Sequence, residues 1–165
     1  MNDIRYTTQQ TTQSEIYLHL RDVDNSFMPF LSSMMDLENF SFKIYKNAIR
    51  FEAWHNQILV GLLSSYFNDT ISKEGFINHI AVKCDYKQQG ISKKLMTICI
   101  NYAKERGFLS IKLEVSLENQ LARKLYEDFG FEICEQSNSK IQMIKKFIPF
   151  MECLIIVIFQ IDSFL

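Results

Sequence analysis

Apolar positions along this chain repeat at helical spacing in four segments. Their intervals of three and four residues are typical of an amphipathic helix with one buried face. The predicted helices cover 14–23, 37–44, 88–106 and 118–129. Ser33 and Asp36 also predict a capping box ahead of the second helix.

Between the helices, apolar and polar residues alternate as they do in half-buried strands. The predicted strands cover 4–7, 48–55, 57–67, 76–82, 109–115, 131–135 and 140–146, with a hairpin turn at Asn56. The start of the third run is apolar on both faces, which favours a strand buried on both sides. Residues 1–146 are therefore expected to form one α+β domain, a mostly antiparallel twisted sheet flanked by about four helices.

Composition and charge narrow the class of ligand. The 165 residues suit one globular domain, and the net charge of −1 excludes a global basic field for nucleic acid. Four lysines and one aspartate nevertheless give residues 83–94 a net charge of +3. A local basic patch on a mildly acidic protein favours a small anionic ligand.

The cysteines and histidines give no support for a metal site. The four cysteines form no CxxC pair, and the three histidines form no HxxxH or HExxH pair. The polar N-terminus shows no apolar signal core, so the thiols are expected to be free in a reducing cytoplasm.

The strongest chemical signal is a strand that leads through a glycine-containing loop into a helix. Ile80–Val82 is followed by KCDYKQQGIS and the longest predicted helix. Free N–H groups and the helix dipole at such a junction attract anions, and Gly90 lets the backbone approach an oxygen closely. The alternative is a plain strand-to-helix turn, since neither GxGxxG nor GxxxxGK[ST] is present.

A second signal lies on the helix predicted over 118–129. At 100° per residue, Asn119, Ala122 and Tyr126 share a narrow face beside the apolar stripe. An amide and a phenol on either side of a small alanine could line a ligand groove. The alternative is that Tyr126 is an aromatic residue at the edge of the core.

Together, the segments INHIAVKCDYKQQGISKKLM and LEVSLENQLARKLYEDFGF resemble the GNAT superfamily of acyl-CoA-dependent N-acetyltransferases. The order of elements over about 3–146 is also similar. The resemblance implies a GNAT-like fold, acetyl-CoA as acyl donor and direct attack by a primary amine. Lys87 and Ser92 stand where the family usually has arginine and glycine or alanine.

The resemblance also implies roles for individual residues. The pyrophosphate would bind the loop amides, and the pantetheine arm would pair with Ile80–Val82, where an N–H of Val82 or Ala81 stabilises the oxyanion. Tyr126 would protonate the departing thiolate, and Asn119 would bind the cofactor arm or orient a water. The expected cofactor-binding residues are Ile80, Ala81, Val82, Lys87, Gln88, Gln89, Gly90, Ile91, Ser92, Asn119, Ala122 and Tyr126.

Two residues are candidates for the general base. Glu114 lies in an LEV context that is similar to one found in some protein-acetylating relatives, although a structural carboxylate is an equal alternative. His79 carries an imidazole suited to proton transfer near pH 7, although a packed histidine is the more usual role of a lone strand histidine.

The acceptor is expected to be a small-molecule amine bound near 27–33, Trp54 and Tyr66, because no acidic groove for a basic peptide stands out. The alternatives are a protein N-terminal or lysine acetyltransferase and a non-catalytic sensor of acyl-CoA.

Residues 147–165 extend past the resemblance and are strongly apolar. Only nine uncharged residues separate Glu152 from Asp162, too few for a membrane span. The segment is therefore expected to pack on the domain or on a second subunit of a homodimer.

Overall fold

A seven-stranded sheet forms the centre of the computed structural model, which describes residues 3–27 and 29–147. The strands run in the order β1-β2-β3-β4-β5-β7-β6, and only β4 and β5 pair in parallel. The strands are β1 (Arg5–Thr8), β2 (Ile49–His55), β3 (Ile58–Tyr66), β4 (Glu74–Val82), β5 (Ser110–Ser116), β6 (Glu132–Gln136) and β7 (Lys140–Lys146). The helices are α1 (Gln13–Val23), α2 (Leu31–Met34), α3 (Leu37–Asn47), α4 (Ile91–Glu105) and α5 (Gln120–Asp128).

One face of the sheet, which we call the α1 face, is covered by α1 and α3. Ile16, Leu20 and Ile44 are fully buried there against Leu62 of β3. Thr12 and Glu15 form a reciprocal capping box at the start of α1. The capping box predicted for Ser33 and Asp36 is wrong: the chain turns between α2 and α3, and Asp36 alone caps α3 by accepting the Asn39 N–H.

The opposite face, which we call the α4 face, is covered by α4 and α5. Leu95, Met96 and Cys99 of α4 are fully buried in its core. Because β3 lies in the middle of the sheet between the two helical layers, its residues from 59 to 65 are all buried, as its apolar run predicted. The predicted helix 88–106 is shorter in the structure, because the backbone of residues 88–90 forms the loop that precedes α4.

Strand β4 changes its partners halfway along its length. Its register with β3 shifts at Asn78, so that His79 pairs with Ser64 while Ile77 pairs with Ser65. Its parallel pairing with β5 covers only Glu74–Ile77 against Ser110–Leu113. Beyond that point the two strands diverge, and the β5-facing edge of 78–82 is left open.

Within residues 3–27 and 29–147, the observed architecture confirms the α+β fold and the mostly antiparallel sheet, with five helices instead of about four. Among the described residues no helix is long and apolar enough to cross a membrane. The apolar segment from 148 onward lies outside the described residues, so its expected packing stays a prediction.

Candidate active site

The open edge of β4 presents backbone groups of defined direction. The Lys83 N–H donates to the Val60 carbonyl of β3 at 2.9 Å. Because successive residues of a strand point their N–H groups to opposite sides, Ala81 also faces β3, whereas Ile80 and Val82 face the open edge. The predicted oxyanion contact from the Ala81 N–H is therefore not supported by this geometry. The N–H groups of Val82, the other predicted donor, and of Ile80 face the side where a ligand could lie.

The loop before α4 is built around two left-handed residues. Gln88 has φ of 63° and Gly90 has φ of 78°, and Gly90 is the N-cap of α4 without any side-chain cap. A Cβ at Gly90 would meet nothing within 4 Å, so the glycine is required by its conformation and not by crowding.

The backbone N–H groups at this junction are available to a ligand. Within the part of the chain that the structure describes, the amides of residues 88–93 donate to no backbone or side-chain acceptor. Residues 87–90 are exposed, and Ser92 is half-buried. Free amides at a helix start are suited to bind an anion, so the geometry allows the roles predicted for Gln88, Gln89, Gly90 and Ser92, which stay predictions. The Lys87 N–H is not among them, because it donates to the Cys84 carbonyl at 3.2 Å.

Two members of the predicted loop set are engaged elsewhere. The Lys87 ammonium donates to Ser26 Oγ at 3.1 Å, so it would have to turn to reach a phosphate. The Ile91 side chain is buried in the core, which leaves only its N–H for a ligand.

Gly61 of β3 provides the surface on which the start of α4 rests. A Cβ at this position would lie 2.8 Å from Ile91 Cγ2 and 3.3 Å from Leu95 Cδ1. The glycine thus allows α4 to approach the sheet closely and fixes where the free amides at the start of α4 lie relative to β4.

Helix α5 brings Tyr126 into the core of the α4 face. Tyr126 is 6% exposed, and its ring centroid lies 6.0 Å from that of Phe131. Burial raises the pKa of Tyr126 to about 12, so the phenol keeps its proton across the physiological range. Ile80 and Val82 point their side chains to this same face, because they pack in the same core.

The other predicted residues of α5 lie at its start. Asn119 is the N-cap, and its Oδ1 accepts the Ala122 N–H at 3.0 Å, so the amide nitrogen is the part left for a ligand. Ala122 is half-buried against the core. Arg123, which sequence reasoning missed, has a buried Nε with no partner among the described residues.

Glu114 lies on β5 and faces the α1 side of the sheet, because its neighbours Leu113 and Val115 are buried on the α4 side. Its carboxylate accepts a hydrogen bond from Lys140 at 2.5 Å, and both side chains are about half exposed. Glu114 and Tyr126 therefore lie on opposite sides of the sheet, next to the place where β4 and β5 diverge.

His79 is 5% exposed and also faces α1. Its ring stacks on Phe27 at 5.7 Å and lies 6.3 Å from the ring of His19. Burial, and then the neighbouring His19, lower the pKa of His79 to about 3. An imidazole of this kind is a poor proton acceptor, so its surroundings favour the packed role over that of a base.

The substrate side predicted near Trp54 and Tyr66 is only partly exposed. Trp54 is buried and donates its Nε1 proton to Thr7 Oγ1 at 2.8 Å, away from the open edge. Tyr66 is half-buried, and its hydroxyl accepts a long contact of 3.5 Å from Asn78 Nδ2. The other side-chain atom of this amide, Asn78 Oδ1, accepts a hydrogen bond from Ser64 Oγ at 3.0 Å. No pattern in the sequence marks Asn78 as the bulge residue.

Comparison with known proteins identifies a family that matches most of the chain. The profile of the acetyltransferase (GNAT) family matches residues 16–131. The chain is 33% identical over 99 residues to the "Probable N-acetyltransferase camello" of Xenopus laevis, which covers 60% of this chain and 45% of that protein. It is 39% identical over 62 residues to the ribosomal protein bS18-alanine N-acetyltransferase of Haemophilus ducreyi. This alignment covers 38% of this chain and 43% of that protein. The chain thus spans less than half the length of these curated relatives.

A solved structure shares the fold. The PaiA N-acetyltransferase of Thermoplasma acidophilum, crystallised in complex with coenzyme A, aligns with a TM-score of 0.68 at 16% identity. The alignment covers 88% of this chain and 99% of that one.

Proposed function

Because the chain belongs to the acetyltransferase (GNAT) family, we propose that it transfers the acetyl group of acetyl-CoA to a primary amine. The observation that carries this proposal is the open edge of β4, where Ile80 and Val82 present backbone groups next to the loop whose amides 88–93 donate to no acceptor among the described residues.

The donor would lie along this edge as an added strand. The pyrophosphate binds the amides of 88–92 at the start of α4, and Lys87 leaves Ser26 to neutralise part of its charge. The pantetheine amides pair with Ile80 and Val82. One N–H of these two residues polarises the thioester carbonyl and holds the oxyanion as it forms. The CoA complex of the PaiA relative supports this donor.

Acetyl transfer then requires the substrate ammonium to lose two protons and the thiolate to gain one. Once the first proton has gone to the base, the amine nitrogen attacks the thioester carbon and the C–S bond breaks. The thiolate takes the proton of the Tyr126 hydroxyl, and the second proton of the nitrogen returns to the Tyr126 oxygen through water. The raised pKa of Tyr126 suits this role, because the group is always protonated when the thiolate leaves.

The proton lost by the attacking ammonium goes to Glu114, directly or through water. Glu114 lies on the α1 side of the sheet, opposite Tyr126, so an amine that enters from this side meets the carboxylate and not the phenol. The Lys140 ammonium, which forms an ion pair with this carboxylate in the free protein, has to move away when the substrate ammonium binds.

The acceptor is a primary amine, and two chemical classes are open to test. The sequence shows no acidic groove for a basic peptide, which favours a small molecule. The bS18-alanine acetyltransferase supports a protein acceptor instead, because its name gives an alanine of a ribosomal protein as the acceptor. A panel of amino sugars, polyamines, amino acids and short peptides with free N-termini, assayed for release of CoA, separates these classes.

The same panel tests the proposal itself. We expect acetyl-CoA to raise the melting temperature and to slow hydrogen exchange of the amides 88–92, and at least one amine to release CoA. Binding of acetyl-CoA without amine-dependent release would favour a non-catalytic sensor. The absence of any thermal shift at millimolar acetyl-CoA would contradict both functions.

Replacing Glu114 with glutamine should lower kcat about tenfold at neutral pH, because a water chain then has to accept the proton unaided. The KM for acetyl-CoA should stay nearly constant, since the carboxylate lies on the acceptor side. Steady-state kinetics across pH 6–9 measure both values. Glu118→Gln, an exposed carboxylate four residues further along, is the matched control. Equal rates in the two variants would remove Glu114 from the mechanism.

Replacing Gly61 with valine should raise the KM for acetyl-CoA several-fold. The new side chain meets Ile91 and Leu95 and pushes the start of α4 away from the sheet, together with its free amides. Stability should also fall, by about 1–3 kcal/mol. Ala103→Val is the control, because Ala103 is fully buried on the same helix but near its other end. If both variants lose stability and neither changes KM, Gly61 does not position the loop.

A further inference from the structure

The place where β4 and β5 diverge, which we call the fork, brings two polar residues together. Ile77 and Leu113 form the last parallel pair, so Asn78 and Glu114 are the first residues after the strands separate. Paired strands lie about 4.8 Å apart, so the two residues are neighbours where the separation begins. The proposed acetyl transfer uses Glu114 and gives Asn78 no role.

The Asn78 side chain lies on the α1 face, as the Glu114 side chain does. The Asn78 amide contacts Ser64 and Tyr66 of β3. Tyr66 packs with the core of the α1 face, and Ser64, two residues earlier on the same strand, points to the same side. An amide and a carboxylate therefore stand side by side where an acceptor amine would enter.

A buried serine determines which end of this amide faces the fork. Ser64 is fully buried, and within the described ranges its hydroxyl has no acceptor other than Asn78 Oδ1, 3.0 Å away. A buried donor without a partner is costly, so the hydroxyl donates to Oδ1. The amide oxygen is thereby held inward, and the amide nitrogen is directed away from Ser64.

The amide nitrogen keeps donor capacity for a ligand. Nδ2 carries two N–H bonds, and its one contact among the described residues is the Tyr66 hydroxyl at 3.5 Å, the limit of a hydrogen bond. In the same part of the chain no hydrogen bond joins Asn78 to Glu114, whose carboxylate is paired with Lys140. Asn78 is only half-buried, so an entering molecule can reach the free N–H.

An amine bound at the fork would meet a carboxylate and a neutral donor at once. The carboxylate of Glu114 suits the ammonium, whereas Asn78 Nδ2 can only donate and therefore pairs with an oxygen. In an α-amino amide, the carbonyl is bonded to the carbon that carries the nitrogen, so both groups reach neighbouring side chains. A free carboxylate in place of this carbonyl would be repelled by Glu114. A simple alkyl amine, a polyamine or a lysine side chain offers no oxygen there.

We propose that Asn78 is a specificity-determining residue that selects α-amino amides, including peptides with a free N-terminus, as acceptors. Its Nδ2 donates to the acceptor's carbonyl oxygen while Glu114 holds the ammonium, and Ser64 keeps the amide in this orientation. This selection rests on the proposed acetyl transfer, because it concerns the acceptor side of the same site.

Two amines of similar shape test the selection in the full-length protein. Glycinamide carries the carbonyl, and isobutylamine has an isopropyl group in place of its amide. The ratio of kcat/KM for glycinamide to that for isobutylamine, measured by release of CoA, should be about tenfold lower in Asn78→Ala than in the parent protein. Asn78→Asp, which keeps an acceptor for Ser64 but loses the N–H bonds, should lower the ratio at least as much. The different basicity of the two amines cancels when the ratios are compared.

Asn101→Asp is the matched control, because Asn101 is an exposed asparagine of α4. It should keep both rates and their ratio. An equal loss with both amines in Asn78→Ala would indicate a purely structural role and overturn the inference. Turnover of polyamines but not of glycinamide or a peptide by the parent protein would also overturn it, and the proposed acetyl transfer would stand. Failure of every amine to release CoA would instead overturn the proposed function, and the inference with it.

Discussion

Replacing Tyr126 with phenylalanine should lower kcat about 100-fold, because the thiolate of CoA then leaves without a positioned acid. The KM for acetyl-CoA should change little, since the ring that packs against Phe131 and the core is retained. The pKa of Tyr126, about 12, adds a second expectation. The rate should not fall between pH 7 and 10 through ionisation of this phenol, and steady-state kinetics over that range measure both effects.

Tyr102→Phe is the matched control for this experiment. Tyr102 is a half-buried tyrosine of α4 that packs against Phe51 and Phe67, away from the open edge of β4. It should keep parental kinetics. An unchanged kcat in Tyr126→Phe would show that water or the bulk solvent protonates the thiolate, and the proposed acid would be withdrawn.

Lowering the pH from 7 to 4.5 should destabilise the fold through two buried histidines. Burial lowers the pKa of His19 to about 4 and that of His79 to about 3, against about 6.5 in the unfolded chain. Because the folded-state pKa values are depressed, the unfolded state binds more protons once the pH falls below 6.5. The stability that neutral histidines provide is therefore complete above pH 6.5 and is lost progressively as the pH falls toward 4.

The expected slope is about 1.4 kcal/mol per pH unit for each histidine. At His19, the hydrogen bond to the Leu59 carbonyl and the Asp22 carboxylate favour protonation, whereas the Lys83 ammonium disfavours it. Urea unfolding at pH 7, 6, 5 and 4.5 measures the slope. His79→Leu should remove about half of it.

His55→Gln is the control for the acid experiment. His55 ends β2 and is only half-buried, with its Nδ1 2.9 Å from the Tyr86 hydroxyl. His79→Leu should lower the slope more than His55→Gln, because His79 is buried between α1 and α3. If His79→Leu leaves the slope unchanged, the two imidazoles are not held neutral in the fold.

The sequence predicts best those features that depend on local periodicity. The alternation over 109–115 identifies both β5 and the outward direction of Glu114, because neighbouring strand residues face opposite sides. The Gly90 turn is equally local: one residue must adopt a left-handed conformation before α4 can begin. Helix caps are predicted less well. Ser33 lies inside α2 and Asp36 directly before α3, so the two residues cannot cap the same helix start.

Features that depend on partners distant in sequence could not be predicted. The bulge at Asn78 exists because β4 has one more residue than β3 over the same length, and no local pattern records that difference. The direction of the Ala81 N–H follows from this pairing, so the sequence left Ala81 and Val82 equivalent. The low pKa of His79 likewise arises from burial against α1 and α3, which only the tertiary structure brings together.

The divergence of β4 from β5 gives the sheet an unpaired edge in its interior, where most proteins have none. Unpaired strand edges attract other extended chains and favour aggregation. An acyl-CoA bound as proposed would close this edge as an eighth, non-protein strand. The free protein should therefore lose solubility during storage or expression when acyl-CoA is scarce, and its thermal stability should rise with the logarithm of the acetyl-CoA concentration above Kd. The donor would then act as a folding ligand as well as a substrate.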